Sequence, residues 1–281
     1  MFKQVLQVRF GLDGGGLAVG MTKLAKLDPP LAFQAGDRRQ TESLAAKALS
    51  GTLQDSIPPQ TEACLVSGSV TVSGQISNPL TLSASDTFTM EFSACDDGAG
   101  AVSGTYSMRV TSFSGDLLSG SFALDVTVTL TGFAVTDAGE TMTANGSLSM
   151  SLDYTAAPTL SISMTATSLT VSDGSSSQTL TSFSMTQTVD ALTSGYSITV
   201  SGSLTSSAFD GEVDFSTTAT LVSDGAGYAY TGQISITGAA NATIDIIVLD
   251  GTLIRLAIDL DGDGTPDEFV DTTWDELLAQ I

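Results

Sequence analysis

The residues of this chain best placed to do chemistry are four carboxylates near its carboxyl end. In Asp259-Leu260-Asp261-Gly262-Asp263-Gly264-Thr265-Pro266-Asp267 they stand at positions 1, 3, 5 and 9 of one short run. Calcium takes about six to eight oxygen ligands, and carboxylates alternating around a turn can converge on one point, with a glycine at position 6 allowing the sharp bend. Asp259, Asp261, Asp263 and Asp267 are therefore the expected side-chain ligands, Thr265 the expected carbonyl ligand, and calcium the expected ion. The run departs from a helix-loop-helix calcium hand: Val270 stands where that motif needs a bidentate Glu, Pro266 where it expects an apolar residue, and the flanks read as strands. The alternative is an acidic turn that binds nothing.

Other acids are weaker candidates. Asp96-Asp97 reads as a turn, and Glu212 with Asp214 lies on the polar face of an expected strand, where charge is ordinary. The chain contains no His, which removes the commonest general base near neutral pH and the commonest transition-metal ligand. It also lacks a Gly-x-Ser-x-Gly elbow, a phosphate loop and a dinucleotide fingerprint. No catalytic residue and no organic cofactor is expected.

Charge divides the chain. The first 47 residues hold seven basic and four acidic side chains; the remainder holds two basic (Arg109 and Arg255) and 27 acidic. Such a body repels polyphosphates and anionic headgroups, so nucleic acid is excluded as a partner and cations are favoured. Cys64 and Cys95 are the only cysteines, and an even pair points to a disulfide, with two buried free thiols as the alternative. A disulfide implies a location outside the cytosol: periplasm, outer envelope or secreted space. Against this, Met1 to Leu24 has no uninterrupted apolar run, because Arg9 and Asp13 break it, so no export signal is visible in this stretch.

The elements that must position these residues are strands. After Cys64 the hydrophobic period is two: Phe122, Leu124, Val126, Val128 and Leu130 alternate with Ser, Ala, Asp and Thr, and Leu148, Met150, Leu152 and Tyr154 repeat the pattern. Turn sequences such as Asp137-Ala138-Gly139, Asp173-Gly174 and Asp224-Gly225-Ala226-Gly227 separate the runs. Nothing of crossover length interrupts them, so the expectation is an all-β fold: an antiparallel meander of about 12 to 14 long strands in a curved sheet, β-roll or half-open barrel. Residues 61–281 would form this domain. Residues 1–60 would form an amino-terminal segment with one short helix between Asp37 and Leu53, stopped at Gly51, and the prolines Pro58 and Pro59 would open the β domain. Trp274 to Leu278 reads as a short helical turn with Trp274 plugging the sheet end.

The acidic run resembles the calcium loops set in β-hairpins of integrin-like FG-GAP repeats and, less closely, thrombospondin type 3 repeats. That resemblance implies Asp259, Asp261, Asp263 and Asp267 as ligands; it covers one copy of about a dozen residues and implies no propeller. The β region is similar to uncharacterised exported proteins of proteobacteria through Cys64, Gly68 to Val72 and Phe92 to Cys95. This implies an envelope or secreted location and no activity.

The functional expectation is a non-enzymatic structural or adhesive protein of the cell envelope or secreted space, stabilised by calcium. The alternative is a periplasmic carrier holding a lipid or other hydrophobic ligand on the apolar face of a half-open roll. A membrane β-barrel is disfavoured by the low aromatic content, which supplies no girdles.

Overall fold

The computed structural model of the chain describes residues 56–77, 82–98, 100–116, 120–137, 139–207 and 211–279. The helix expected between Asp37 and Leu53 lies outside the described residues, as does nearly all of the expected amino-terminal segment.

Fourteen strands follow one another in chain order. They are β1 (Ile57–Ala63), β2 (Ser67–Gln75), β3 (Thr87–Asp96), β4 (Ala101–Asp116), β5 (Ser121–Asp137), β6 (Glu140–Asp153) and β7 (Thr159–Ser172). The second half comprises β8 (Ser177–Asp190), β9 (Tyr196–Ser206), β10 (Glu212–Ser223), β11 (Thr231–Thr237), β12 (Thr243–Val248), β13 (Leu253–Asp259) and β14 (Glu268–Thr273), followed by a helix α1 (Trp274–Ala279). Each strand pairs antiparallel with the next, in the spatial order β1 to β14, so the chain is a single meander in one sheet. Among the described residues, β1 and β14 each have one neighbour, and the curved sheet does not close.

The register explains the two-residue rhythm. One row runs through Val110, Val126, Met150, Met164, Met185 and Val200 on six successive strands. All belong to the inner face, and five of the six are buried, with Met150 half-buried. A flanking row through Leu124, Leu152 and Ile162 is half-buried along its length. The opposite parity builds an outer face of hydroxyls. There Thr89 meets Ser107 across β3 and β4, Thr129 meets Ser147 across β5 and β6, and Thr170 meets Thr179 across β7 and β8, each pair within hydrogen-bond distance. Such cross-strand hydroxyl pairs contribute a few tenths to about 1 kcal/mol each, while burial of the inner residues, at roughly 25 cal/mol per Å² of apolar area, supplies most of the stabilisation.

Strands of up to 17 residues need breaks in the pleat if the sheet is to curve. Gly104 supplies one of them. It sits at φ +91°, opposite Gly132, and a Cβ placed there would lie 2.1 Å from the Gly132 carbonyl oxygen. The register slips on both sides of β4 at this point. A side chain at 104 would force the two bulged backbones apart.

The carboxyl-terminal half is the better-sealed part of the core. Leu221, Ile234, Ile254 and Trp274 are almost wholly buried there. Trp274 opens α1 and caps the inner face, donating its indole N–H to the Ala229 carbonyl at 3.2 Å and lying against Tyr228. The helix starts on a reciprocal cap: the Glu276 amide donates to Thr273 Oγ1, and the Thr273 amide donates to the Glu276 carboxylate. Hydrogen bonds from Thr272 and Thr273 hold the Glu276 carboxyl below its ordinary range.

Candidate metal centre

The acidic run is the loop joining β13 to β14. Asp259 is the last residue of β13, paired with Thr243 of β12 on the same parity as Arg255, and it is the loop folding back over it that shields its side chain from solvent. Only 3% of Asp259 is exposed. A carboxylate so placed must be compensated, and two backbone amides do it: Gly262 donates to one oxygen at 2.7 Å and Gly264 to the other at 2.8 Å. Both glycines have positive φ, +73° and +85°, which turns their N–H groups inward. Gly262 is doubly required, because a Cβ there would sit 2.3 Å from the Ala240 carbonyl oxygen in the turn between β11 and β12. That turn therefore braces the loop from below.

The remaining acids close the loop locally. Asp267 accepts from the Leu260 amide at 2.8 Å while its own amide donates to the Ile258 carbonyl at 2.7 Å, which draws the two ends of the loop together. Asp261 accepts from the Asp263 amide at 3.2 Å, and Asp263 accepts from the Thr265 amide at 2.7 Å.

Ligand oxygens of Asp259, Asp261 and Asp267 lie within 4.8 Å of one another. Three of the four expected carboxylates are thus brought together. Asp263 is outside that group, its carboxylate engaged with the Thr265 amide, and Thr265 itself is exposed. Each converging carboxylate keeps lone pairs beyond those its amides use. The donor set is all oxygen and carries three negative charges, which suits a hard divalent cation and gives no reason to expect a soft metal. Without a cation, three carboxylates at this spacing repel one another by about 1 kcal/mol per pair in bulk water and by several times that near a protein surface.

The other group of potential ligands among the described residues is Cys64, Cys95 and Asp97. Its two sulfurs are joined as a disulfide across 31 residues, with Cα atoms 5.4 Å apart, and so are not metal ligands. Asp97 accepts from the Leu65 amide at 2.8 Å, and Asp96 accepts from the Gly98 amide at 2.7 Å. Asp214 accepts from the Ser203 hydroxyl on the outer face. These acids are occupied in turns and ladders, as their positions in the sequence imply.

One buried acid was not singled out by the sequence. Asp86, 3% exposed, sits in the turn before β3 and accepts from the amide and hydroxyl of Ser77 and from the Ser83 amide. Burial pushes its carboxyl up, and the hydrogen bonds from Ser77 and Ser83 outweigh this and leave it below the ordinary value. It pins a loop and contributes nothing to the metal site; the signal available was an isolated Asp after Ser83 and Ser85, a capping pattern.

Asp259→Asn is expected, with no cation present, to cost about 1 to 3 kcal/mol, since one of the two amides it satisfies would lose its acceptor. Chemical denaturation in chelator checks this. An unchanged midpoint would mean that Asp259 does not hold the loop.

The chain matches no protein-family model, no curated protein and no solved structure.

Proposed function

We propose that this protein is a non-enzymatic structural or adhesive component of the cell envelope or the secreted space, with its carboxyl-terminal hairpin stiffened by calcium. The observation that carries this reading is the division of labour between the two faces of the sheet. The central inner row is consumed by packing, which leaves for partners a broad outer face of Ser, Thr and scattered Asp, several of whose hydroxyls pair across strands. Such a face suits static contact better than bond-making chemistry. The absence of His from the sequence supports the same conclusion. The Cys64–Cys95 disulfide supports an oxidising compartment.

Fractionation of the native host with thiol trapping tests the location. The protein is expected outside the cytosol with both cysteines oxidised, and a cytosolic protein with two free thiols would overturn the reading.

A second reading, a carrier of a lipid or other hydrophobic ligand, is favoured by one observation. The half-buried row of Leu124, Leu152 and Ile162 flanks the sealed central row, and all six methionines of the β body lie on strands β3 to β8. Methionine adapts to irregular apolar partners, so this surface could re-pack around a guest. Native mass spectrometry of protein purified from its host would show a bound apolar mass if the carrier reading holds.

No helix among the described residues is long and apolar enough to cross a membrane.

A further inference from the structure

The outer face of the sheet changes character at its last three strands. Across β5 to β9 that face is predominantly Ser and Thr, whereas on β12, β13 and β14 apolar side chains come to the surface. The register sets them out in rows. Asp245, Ala257 and Phe269 form the first, and Ile247, Arg255 and Asp271 the second. Leu253 and Thr273 form the third, joined by Leu249, whose amide donates to the Leu253 carbonyl at 3.0 Å where the turn between β12 and β13 closes. Ile246, Ile254 and Leu256, on the opposite parity, are buried in the core, so the three rows face outward. Leu249 is 45% exposed, Leu253 43% and Phe269 58%, and Ile247 is half-buried.

The charge of this corner is one-sided. Arg255 is occupied within it, forming a two-pronged pair with Asp271 at 2.7 and 2.9 Å and lying over the Phe269 ring. Arg109, the other cation of the β body, is on β4. Asp245 stands in the first row, and Asp250 and Glu268 are exposed at the margins. A partner therefore meets apolar surface framed by carboxylates, the apolar centre and polar rim of a protein interface.

We propose that this corner docks a basic amphipathic helix of a partner protein, with the apolar stripe of the helix on Ile247, Leu249, Leu253 and Phe269 and its cations on Asp245, Asp250 and Glu268. The dimensions fit. Three strands about 4.8 Å apart make the patch roughly 10 Å wide, and the step from Phe269 to Thr273 makes it roughly 13 Å long. A helix is about 10 to 12 Å across with its side chains and rises about 5.4 Å per turn, so about three turns cover the patch. Charge selects this occupant. Two copies placed face to face would set these carboxylates against one another, with Arg255 already paired to Asp271, and an anionic lipid surface would be repelled in the same way.

The test titrates the full-length protein with a synthetic peptide of about 14 residues, Leu on one helical face and Lys on the other, followed by NMR amide shifts and fluorescence anisotropy. The largest shifts are expected on β12 to β14. A Leu253→Ser, Phe269→Ser variant, which keeps the charge, is expected to bind at least about tenfold more weakly, its folding checked by circular dichroism. Leu249→Ser gives a second reading in the same direction. A peptide of the same composition with its leucines scattered around the helix is expected to bind the native protein no better than the first peptide binds the double variant. No binding, equal affinity for native and variant proteins, or shifts spread over the whole sheet would overturn the proposal. So would self-association of the native protein that the double variant abolishes, which would make a second copy the occupant, or anionic vesicles shifting the same amides, which would make it a lipid surface.

Discussion

Replacing Trp274 with Ala is expected to cost about 3 to 5 kcal/mol, the largest effect of any single substitution considered for this chain. The indole is 2% exposed, and it is both the plug of the inner face and the first residue of α1. Its removal opens a cavity against Tyr228, leaves the Ala229 carbonyl without its donor, and detaches a six-residue helix too short to hold by itself. Trp274→Phe keeps the ring contact and loses the hydrogen bond, so a smaller loss of about 1 to 2 kcal/mol is expected. For a domain of this size the Ala variant should melt roughly 10 °C lower, measured by far-ultraviolet circular dichroism. A melting temperature within a degree of the native protein would show that α1 does not seal the core.

Breaking the Cys64–Cys95 disulfide comes second. Closing a loop of 31 residues is worth about 3 to 4 kcal/mol in the chain-entropy account. The cross-link ties the end of the edge strand β1 to the end of β3, where the register is irregular and Gly68 lies so close to Ala94 that a Cβ would meet its carbonyl oxygen at 2.0 Å. The double variant Cys64→Ser, Cys95→Ser is therefore expected to lose about that amount in denaturant titration, and reductant should do the same to the native protein but not to the variant. Exchange measurements should place the first opening in β1 to β3. Equal stability with and without reductant would mean that the bridge constrains nothing the sheet does not already hold.

The rhythm of Leu148, Met150 and Leu152 was enough to place the strands, their sequential antiparallel pairing and their inner face, because a period of two leaves one way to hide the apolar residues. Interruptions of that rhythm were not legible. In β9 the inner parity passes through Tyr196, Ile198 and Val200, skips Gly202 and resumes at Leu204. The gap has a cause on another strand: Gly202 pairs with Phe215 of β10, and a Cβ at 202 would lie 2.9 Å from the Phe215 ring. The ring fills the space the glycine leaves, a relation between residues 13 apart that no local pattern states. Pro58-Pro59 reads as punctuation that opens the β domain, and both prolines lie at the start of β1, where an edge position tolerates them. At the other end the helical reading of Trp274 to Leu278 holds. The Thr273-x-x-Glu276 cap was present in the sequence as its start signal.

At the candidate metal centre the spacing of the acids was sufficient to find the loop and to bring Asp259, Asp261 and Asp267 together. It did not separate Asp263 from them. Asp261 and Asp263 each accept from the amide two residues ahead, at 3.2 Å and 2.7 Å, and only Asp261 does so while staying beside Asp259 and Asp267. Nor could spacing reveal that the loop rests on the turn between β11 and β12 through Gly262, a contact between segments about 20 residues apart. Bracing of this kind is what would let a bound cation stiffen the whole carboxyl-terminal edge rather than one hairpin.

Calorimetric titration of the chelator-treated protein with calcium, in parallel with an Asp261→Ala, Asp263→Ala variant, tests the metal centre most directly. A saturable one-site isotherm is expected for the native chain, together with a higher melting temperature; at a free calcium concentration 100 times the dissociation constant the gain is about 2.7 kcal/mol. The variant should give no heat above dilution. Identical isotherms for the two proteins would contradict the assignment.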